Sequence, residues 1–159
     1  MMTHKSRRDP VLLIDDDIDD LMWLVERIEA MGFGFVCATN EAEARDRILA
    51  ISEGRERYCL AVIDVMMATH SIEHVGMVDE KFFKSSKESG VRLCHYARVE
   101  LGISAAELPI AVYTARVDEQ ARQQIGAIPD VRHFFRDGAE GEGSLDHHVA
   151  EVLQRSSGD

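Results

Sequence analysis

VLLIDDD at residues 11–17 and LAVID at residues 60–64 are the two stretches of this sequence that decide its fold. In each stretch, four apolar residues are followed directly by aspartate. A short apolar run bounded by charge is typical of a buried strand in a parallel sheet. Ligands of open α/β sheets bind at the carboxyl ends of such strands. We therefore predict that the aspartates after the two runs converge at one edge of a sheet.

A cluster of this kind predicts a cation site. Carboxylates at close range repel one another and raise each other's pKa, so the cluster is costly unless a cation neutralises it. Their oxygen atoms suit a hard ion, and Mg²⁺ in proteins typically takes one or two carboxylates together with waters and phosphate oxygens. The sequence therefore predicts a magnesium site at this edge.

Composition limits the class of protein. The chain has 159 residues, which is the size of one domain, and it is 45% apolar and 30% charged, as globular proteins are. Its net charge of −11 argues against nucleic-acid binding, which needs a basic face. No apolar stretch is as long as a membrane span, and the N-terminus lacks the apolar core of a signal peptide. We expect a cytoplasmic protein with no membrane partner.

The three cysteines fit the same compartment. They are Cys37, Cys59 and Cys94, they are widely spaced, and none belongs to a CxxC pair. We interpret them as buried, reduced thiols.

Strands and helices alternate along the chain. Apolar patterning predicts strands at residues 11–14, 33–38, 59–63, 110–113 and 133–135, and helices at 17–31, 41–51, 91–101, 119–125 and 145–154. This alternation implies parallel strands with right-handed crossovers and helices on both faces of the sheet.

The domain boundaries follow from the segments that lack this pattern. We expect a flexible N-terminal tail at residues 1–9, a single domain at 10–155 and a loose C-terminus at 156–159. Residues 68–90 have poor apolar periodicity, and we interpret them as an inserted loop between the third strand and the third helix. The few polar residues after the last helix predict a stand-alone domain.

Four sites in this order resemble those of the receiver domain of two-component response regulators. An acidic pair after the first strand matches Asp15 and Asp16, and the phosphoacceptor after the third strand matches Asp64. A hydroxyl residue and a small residue after the fourth strand match Thr114-Ala115. The resemblance covers about residues 10–154. It implies a flavodoxin-like, doubly wound, five-stranded parallel sheet of order 2-1-3-4-5 with helices on both faces.

The resemblance also implies a function. Asp64 would accept a phosphoryl group from a histidine kinase or a phosphotransfer protein. Mg²⁺ would be held by Asp15, Asp16, Asp64 and the backbone carbonyl of Met66. Such a domain catalyses only its own phosphorylation and dephosphorylation, and it signals by contact with a downstream protein, mainly through the fifth strand and the helices on either side of it.

The fourth site departs from the family pattern. The usual Lys-Pro after the fifth strand is Arg136-Asp137 here. A guanidinium is planar and forked whereas an ammonium is a point charge, yet Arg136 can still neutralise a phosphoryl oxygen. Thr114 would hydrogen-bond another phosphoryl oxygen. His133 occupies the position of the family's aromatic switch residue and can titrate near neutral pH, so Thr114 and His133 are candidates for a switch.

Three alternative functions remain open at this point. Arg136-Asp137 favours a receiver-like interaction module that works without phosphorylation. Residues 15–17 also resemble the DxD signature of haloacid-dehalogenase phosphohydrolases, with Asp15 as nucleophile, Asp17 as acid/base and Thr114 in the second motif, although no later apolar run ends in paired acids. Residues 70–74 match the HxxEH pattern of metallopeptidases, but they lie in the predicted insertion.

Overall fold

The strands form one parallel sheet, as the sequence predicts. The computed structural model describes residues 8–65, 89–114, 123–124, 126–135 and 142–157. Within these residues the sheet order is β2-β1-β3-β4-β5, which confirms the flavodoxin-like topology. The strands are β1 (Val11–Ile14), β2 (Phe35–Ala38), β3 (Leu60–Asp64), β4 (Ile110–Thr114) and β5 (Val131–Phe135).

Helices cover both faces of the sheet. The described helices are α1 (Met22–Ala30), which follows a 3-10 turn at Ile18–Leu21; α2 (Glu41–Ser52); α3 (Ser89–His95), which continues as a π-helical turn at Tyr96–Glu100; and α4 (Glu142–Ser157). No helix in these parts of the chain is long and apolar enough to cross a membrane.

Each face of the sheet has its own apolar core. Alternate residues of β1 point to opposite sides, so Leu12 and Ile14 pack with α2 and α3, while Val11 and Leu13 pack with α1 and α4. All four β1 side chains are fully buried. A strand that is covered on both faces must be apolar throughout, which is why the VLLI run predicts it so well.

The helix boundaries follow local capping. Asn40 begins α2, and its side chain accepts the N–H of Glu43, as an N-cap residue does. Gly32 ends α1 with a φ of 83°, and the N–H of Phe33 bonds to Ile28 O, which is the hydrogen bond of a Schellman motif. Phe33 therefore belongs to the helix end, and β2 begins at Phe35 rather than at Phe33.

Other boundaries differ from the sequence predictions. The single helix predicted at 17–31 is a 3-10 turn followed by α1, and β5 begins two residues earlier than predicted. Residues 89 and 90 begin α3 and so are not part of the inserted loop, while α4 extends to Ser157, so residues 156 and 157 are helical rather than loose. Residues 66–88, and most of the helix predicted at 119–125, lie outside the described residues.

The cysteines are free thiols, but only one is fully buried. Cys94 is buried, whereas Cys37 and Cys59 are half-buried, so the prediction of three buried thiols was wrong for two of them.

Candidate functional site

The carboxyl ends of β1 and β3 lie side by side. Ile14 pairs with Ile63 in the parallel register, so Asp15 and Asp64 each follow a paired residue. Carboxylate oxygens of Asp15, Asp16 and Asp64 all lie within 4.8 Å of one another. The sheet thus brings together three side chains that the sequence predicts as metal ligands, although Asp64 is far along the chain from the neighbouring Asp15 and Asp16.

Asp15 is the buried member of this cluster. Its exposed fraction is 1%, and its Oδ1 accepts the N–H of Asp17 at 2.9 Å. Its Oδ2 is buried and has no hydrogen-bond partner within the ranges that the structure describes. The pKa of Asp15 is raised to about 7. Burial is the largest cause, the Asp17 N–H opposes the rise, and the nearby charges of Asp64 and Asp16 add to it.

This arrangement fits a hard cation. A buried carboxylate oxygen without a partner, next to two further carboxylates, is unfavourable in itself, and a divalent cation would relieve both the desolvation and the repulsion. The donor set consists only of oxygen atoms, which suits Mg²⁺. Asp16 is exposed and Asp64 is half-buried, so the open side of the cluster faces solvent.

Asp17 contributes differently from its neighbours. Its carboxylate is exposed and is not among the three that converge. Its backbone N–H holds Asp15 Oδ1, and the residue precedes the 3-10 turn. The third aspartate of the run therefore orients the first one through its backbone.

The remaining predicted site residues are only partly described. Thr114 ends β4 opposite Phe135, so its backbone lies at the same carboxyl edge as Asp64. His133 pairs with Val112 within β5 and is half-buried, and burial lowers the pKa of its imidazole. Met66, Arg136 and the HxxEH stretch at 70–74 lie outside the described residues.

Sequence reasoning missed Gly90, whose backbone packs against the peptide that carries Asp64. Its N–H donates to Val65 O at 3.0 Å. A Cβ placed on Gly90 would lie 2.5 Å from Asp64 O and 2.5 Å from Val65 Cα, so no larger residue fits. The available signal was a glycine directly before the apolar run of α3, where helix propensity gives no reason for it.

An aromatic contact joins β4, the strand next to β3, to α1. Tyr113 of β4 pairs with Asp64, and its ring packs edge-on against Trp23 of α1, with 6.1 Å between the ring centroids. Trp23 is the one tryptophan of the chain. This contact links the first turns of α1 to the strand next to the phosphoacceptor candidate.

Solved structures share this architecture. Neither protein-family models nor curated proteins match the sequence. A two-component response regulator from Clostridium difficile is similar in structure, with a TM-score of 0.63, 19% identity, and coverage of 94% of this chain and 99% of that one.

Two further solved structures are similar. The response regulator receiver domain protein of Methanospirillum hungatei has a TM-score of 0.60 and 15% identity, covering 94% of this chain and 96% of its own. The signal receiver domain of a DNA-binding response regulator from Colwellia psychrerythraea has a TM-score of 0.60 and 18% identity, covering 92% and 98%. The chain therefore has the fold of the response regulator receiver domains.

Proposed function

We propose that this chain is a response regulator receiver that takes up a phosphoryl group on Asp64 in the presence of Mg²⁺. The observation that carries the proposal is the convergence of Asp15, Asp16 and Asp64 at the carboxyl edge of a receiver-type sheet. The proposed donors are a histidine kinase or a phosphotransfer protein, and the proposed output is contact with a downstream protein. The proposed setting is the cytoplasm.

The chemistry requires an accessible carboxylate and neutralised charge. A carboxylate oxygen of Asp64 would form a bond to phosphorus while the bond from phosphorus to the donor atom breaks, and the leaving group would keep that electron pair. Positioning and charge neutralisation supply most of the catalysis in phosphoryl transfer. Bound Mg²⁺ would supply positive charge next to the phosphoryl oxygens. Asp15, Asp16, Asp64 and the Met66 carbonyl would hold the ion.

Two further residues complete the proposed site. Thr114 would donate its hydroxyl hydrogen to one phosphoryl oxygen, and the guanidinium of Arg136 would pair with another. The position of Thr114 at the end of β4, next to β3, supports its assignment. Thr114 and His133 remain our candidates for the residues that report phosphorylation to the surface of β5.

The test is phosphorylation by a small donor. We expect acetyl phosphate with Mg²⁺ to add one phosphoryl group to the wild-type chain, as measured by intact mass, and EDTA to prevent the addition. Asp64→Asn removes the nucleophile and should abolish the mass gain. Asp17→Asn is the matched control, because Asp17 is an exposed aspartate outside the cluster, and it should keep the gain.

The alternatives give different results in the same assay. A module that works without phosphorylation would show no mass gain in any variant. A phosphohydrolase would turn over a generic phosphomonoester and would lose that activity in Asp15→Asn and Asp17→Asn, whereas a receiver would show no turnover. Either result would refute the proposal.

A further inference from the structure

The first turn of α3 contacts the residues at the end of β3, although 23 residues separate the two in sequence. Residues 66–88 join β3 to α3, and both ends of this long connection lie at the backbone of the site, since Gly90 N–H bonds to Val65 O. Side-chain contacts between this first turn and other described elements can set its position against Asp64.

A buried ion pair supplies such contacts. Arg92 Nε lies 2.8 Å from Glu41 Oε1, and Arg92 Nη2 lies 3.2 Å from Glu41 Oε2, so the guanidinium binds the carboxylate with two hydrogen bonds. The exposed fractions of the two side chains are 2% and 0%. Arg92 Nη2 also donates to Ser89 Oγ at 3.1 Å, within the same turn as Gly90.

The pair connects the start of α2, which follows β2, to the first turns of α3, which lie against the end of β3. Glu41 is the first residue of α2, just after β2, and Ala38 at the end of β2 accepts the N–H of Asp15. Arg92 lies two residues after Gly90, whose backbone contacts the Asp64 peptide. The two ends of this network are thus Asp15 and Asp64, which are two of the three carboxylates that converge at the site.

Stability alone is a poor reason for this pair. Burying two charges costs so much desolvation that well-packed apolar residues of similar volume are often equally stabilising or better. Two hydrogen bonds from a planar guanidinium, by contrast, fix a direction as well as a distance. The feature that the pair provides, and that apolar packing would not, is a defined placement of α3.

We propose that Glu41 and Arg92 are positioning residues for the phosphoacceptor: they lock the first turn of α3 to α2, and Gly90 of that turn sets the Asp64 peptide. This inference rests on the proposed function for its catalytic consequence, but its structural part can be tested separately. Arg92 and Glu41 touch neither the donor nor the phosphoryl group in this scheme.

The test compares Arg92→Lys with Arg27→Lys. Arg27 also binds a carboxylate with two hydrogen bonds, to Asp146 at 2.8 and 2.7 Å, and joins two helices, but this pair is exposed and links α1 to α4 on the other face of the sheet. Both substitutions keep the positive charge and lose the forked geometry. All proteins are assayed at a temperature at which circular dichroism shows them folded.

We expect Arg92→Lys to lower the maximal rate of Mg²⁺-dependent phosphorylation by acetyl phosphate roughly tenfold or more, because small misplacements of reacting groups cost about this much. The half-saturating concentration of acetyl phosphate should not change, because donor binding does not involve the pair. Arg27→Lys should retain the wild-type rate. If Arg92→Lys does not fold, Glu41→Gln tests the same contact. It keeps the size of the side chain and one acceptor oxygen, and it should also slow the reaction.

Amide hydrogen exchange tests the placement of α3 without phosphorylation. The Gly90 amide, which bonds to Val65 O, should exchange at least severalfold faster in Arg92→Lys than in the wild type, while amides of α1 keep their rates. Wild-type exchange at Gly90 in Arg92→Lys, or a wild-type maximal rate, would overturn the positioning role. If the wild-type chain takes up no phosphoryl group, the proposed function fails, and the exchange arm alone decides whether the pair positions Asp64.

Discussion

At the scale of single residues, Asp15 is the residue that most favours the proposed cation site. A carboxylate with an exposed fraction of 1% would normally be paired or fully hydrogen-bonded, yet one of its oxygens has no hydrogen-bond partner in the described part of the chain. The sequence predicts this convergence because each of the two apolar runs ends in aspartate. It does not predict that Asp17 contributes its backbone N–H as a donor, whereas Asp15 contributes its carboxylate as the acceptor.

Asp15→Asn should stabilise the metal-free protein above neutral pH. Burial raises the pKa of Asp15 to about 7, so the folded state holds a proton that the unfolded state releases near pH 4, and stability falls as pH rises between these values. The amide removes this cost, which we expect to be about 1–3 kcal/mol at pH 8.

Urea denaturation in EDTA measures this difference, which should vanish below about pH 4, where the carboxyl is protonated in both states. Added Mg²⁺ should stabilise the wild type more than the variant, because the variant lacks one ligand. A variant less stable than the wild type in EDTA at pH 8 would show that Asp15 is not a strained carboxylate.

At the scale of elements, local signals place the helices and strands, and long-range contacts adjust their ends. Asn40 and Gly32 are of the residue types that favour the start and the end of a helix, and they occupy those positions. The prediction of a single helix at 17–31 was wrong, because residues 18–21 form a 3-10 turn and the α-helix begins only at Met22. The contact of Gly90 with Val65 could not be predicted, since it joins residues on either side of a connection without apolar periodicity.

Asn40→Ala should destabilise the protein by about 1 kcal/mol, because the Glu43 N–H loses its acceptor at the start of α2. Asn40→Gly is the informative comparison, since glycine at this position costs only a few tenths of a kcal/mol relative to asparagine. Thermal or urea unfolding of the two variants measures the difference. Equal stability of Asn40→Ala and the wild type would show that the cap does not contribute.

Arg98 holds the connections that precede β4 and β5. Its buried guanidinium donates to four backbone carbonyls, namely Pro129 O at 3.1 Å, Asp130 O at 3.0 Å, Ile103 O at 3.1 Å and Leu108 O at 2.8 Å. Asp130 has a φ of 58°, a conformation that a non-glycine residue keeps only when its surroundings enforce it.

Arg98→Met should therefore lower the free energy of unfolding by about 2–4 kcal/mol, because several carbonyls lose a charged donor at once. Arg55→Met is the control: Arg55 pairs with Glu53 at the surface, where such pairs contribute little. Urea denaturation compares the two. An equal, small effect of both substitutions would contradict the structural role assigned to Arg98.

At the scale of the whole molecule, the sequence predicts the topology because both faces of a parallel sheet must be covered, which makes strands such as Val11–Ile14 apolar throughout. It also predicts that Asp64 meets the distant pair Asp15 and Asp16, because parallel strands share one carboxyl edge. It cannot reveal the Glu41–Arg92 pair or the carbonyl contacts of Arg98. In sequence, these arginines and this glutamate look like ordinary polar positions on helices, and only the packing of one element on another buries them.

The most direct test of the central claim is to locate the metal. Mn²⁺ in place of Mg²⁺ broadens the NMR signals of nearby amides, and we predict the strongest broadening at Asp15, Asp16, Asp64 and Val65, with Gly90 also affected. Signals from the opposite edge of the sheet, such as those of Leu60 and Ile110, should persist. Broadening centred away from Asp15 and Asp64, or no selective broadening at all, would contradict the account.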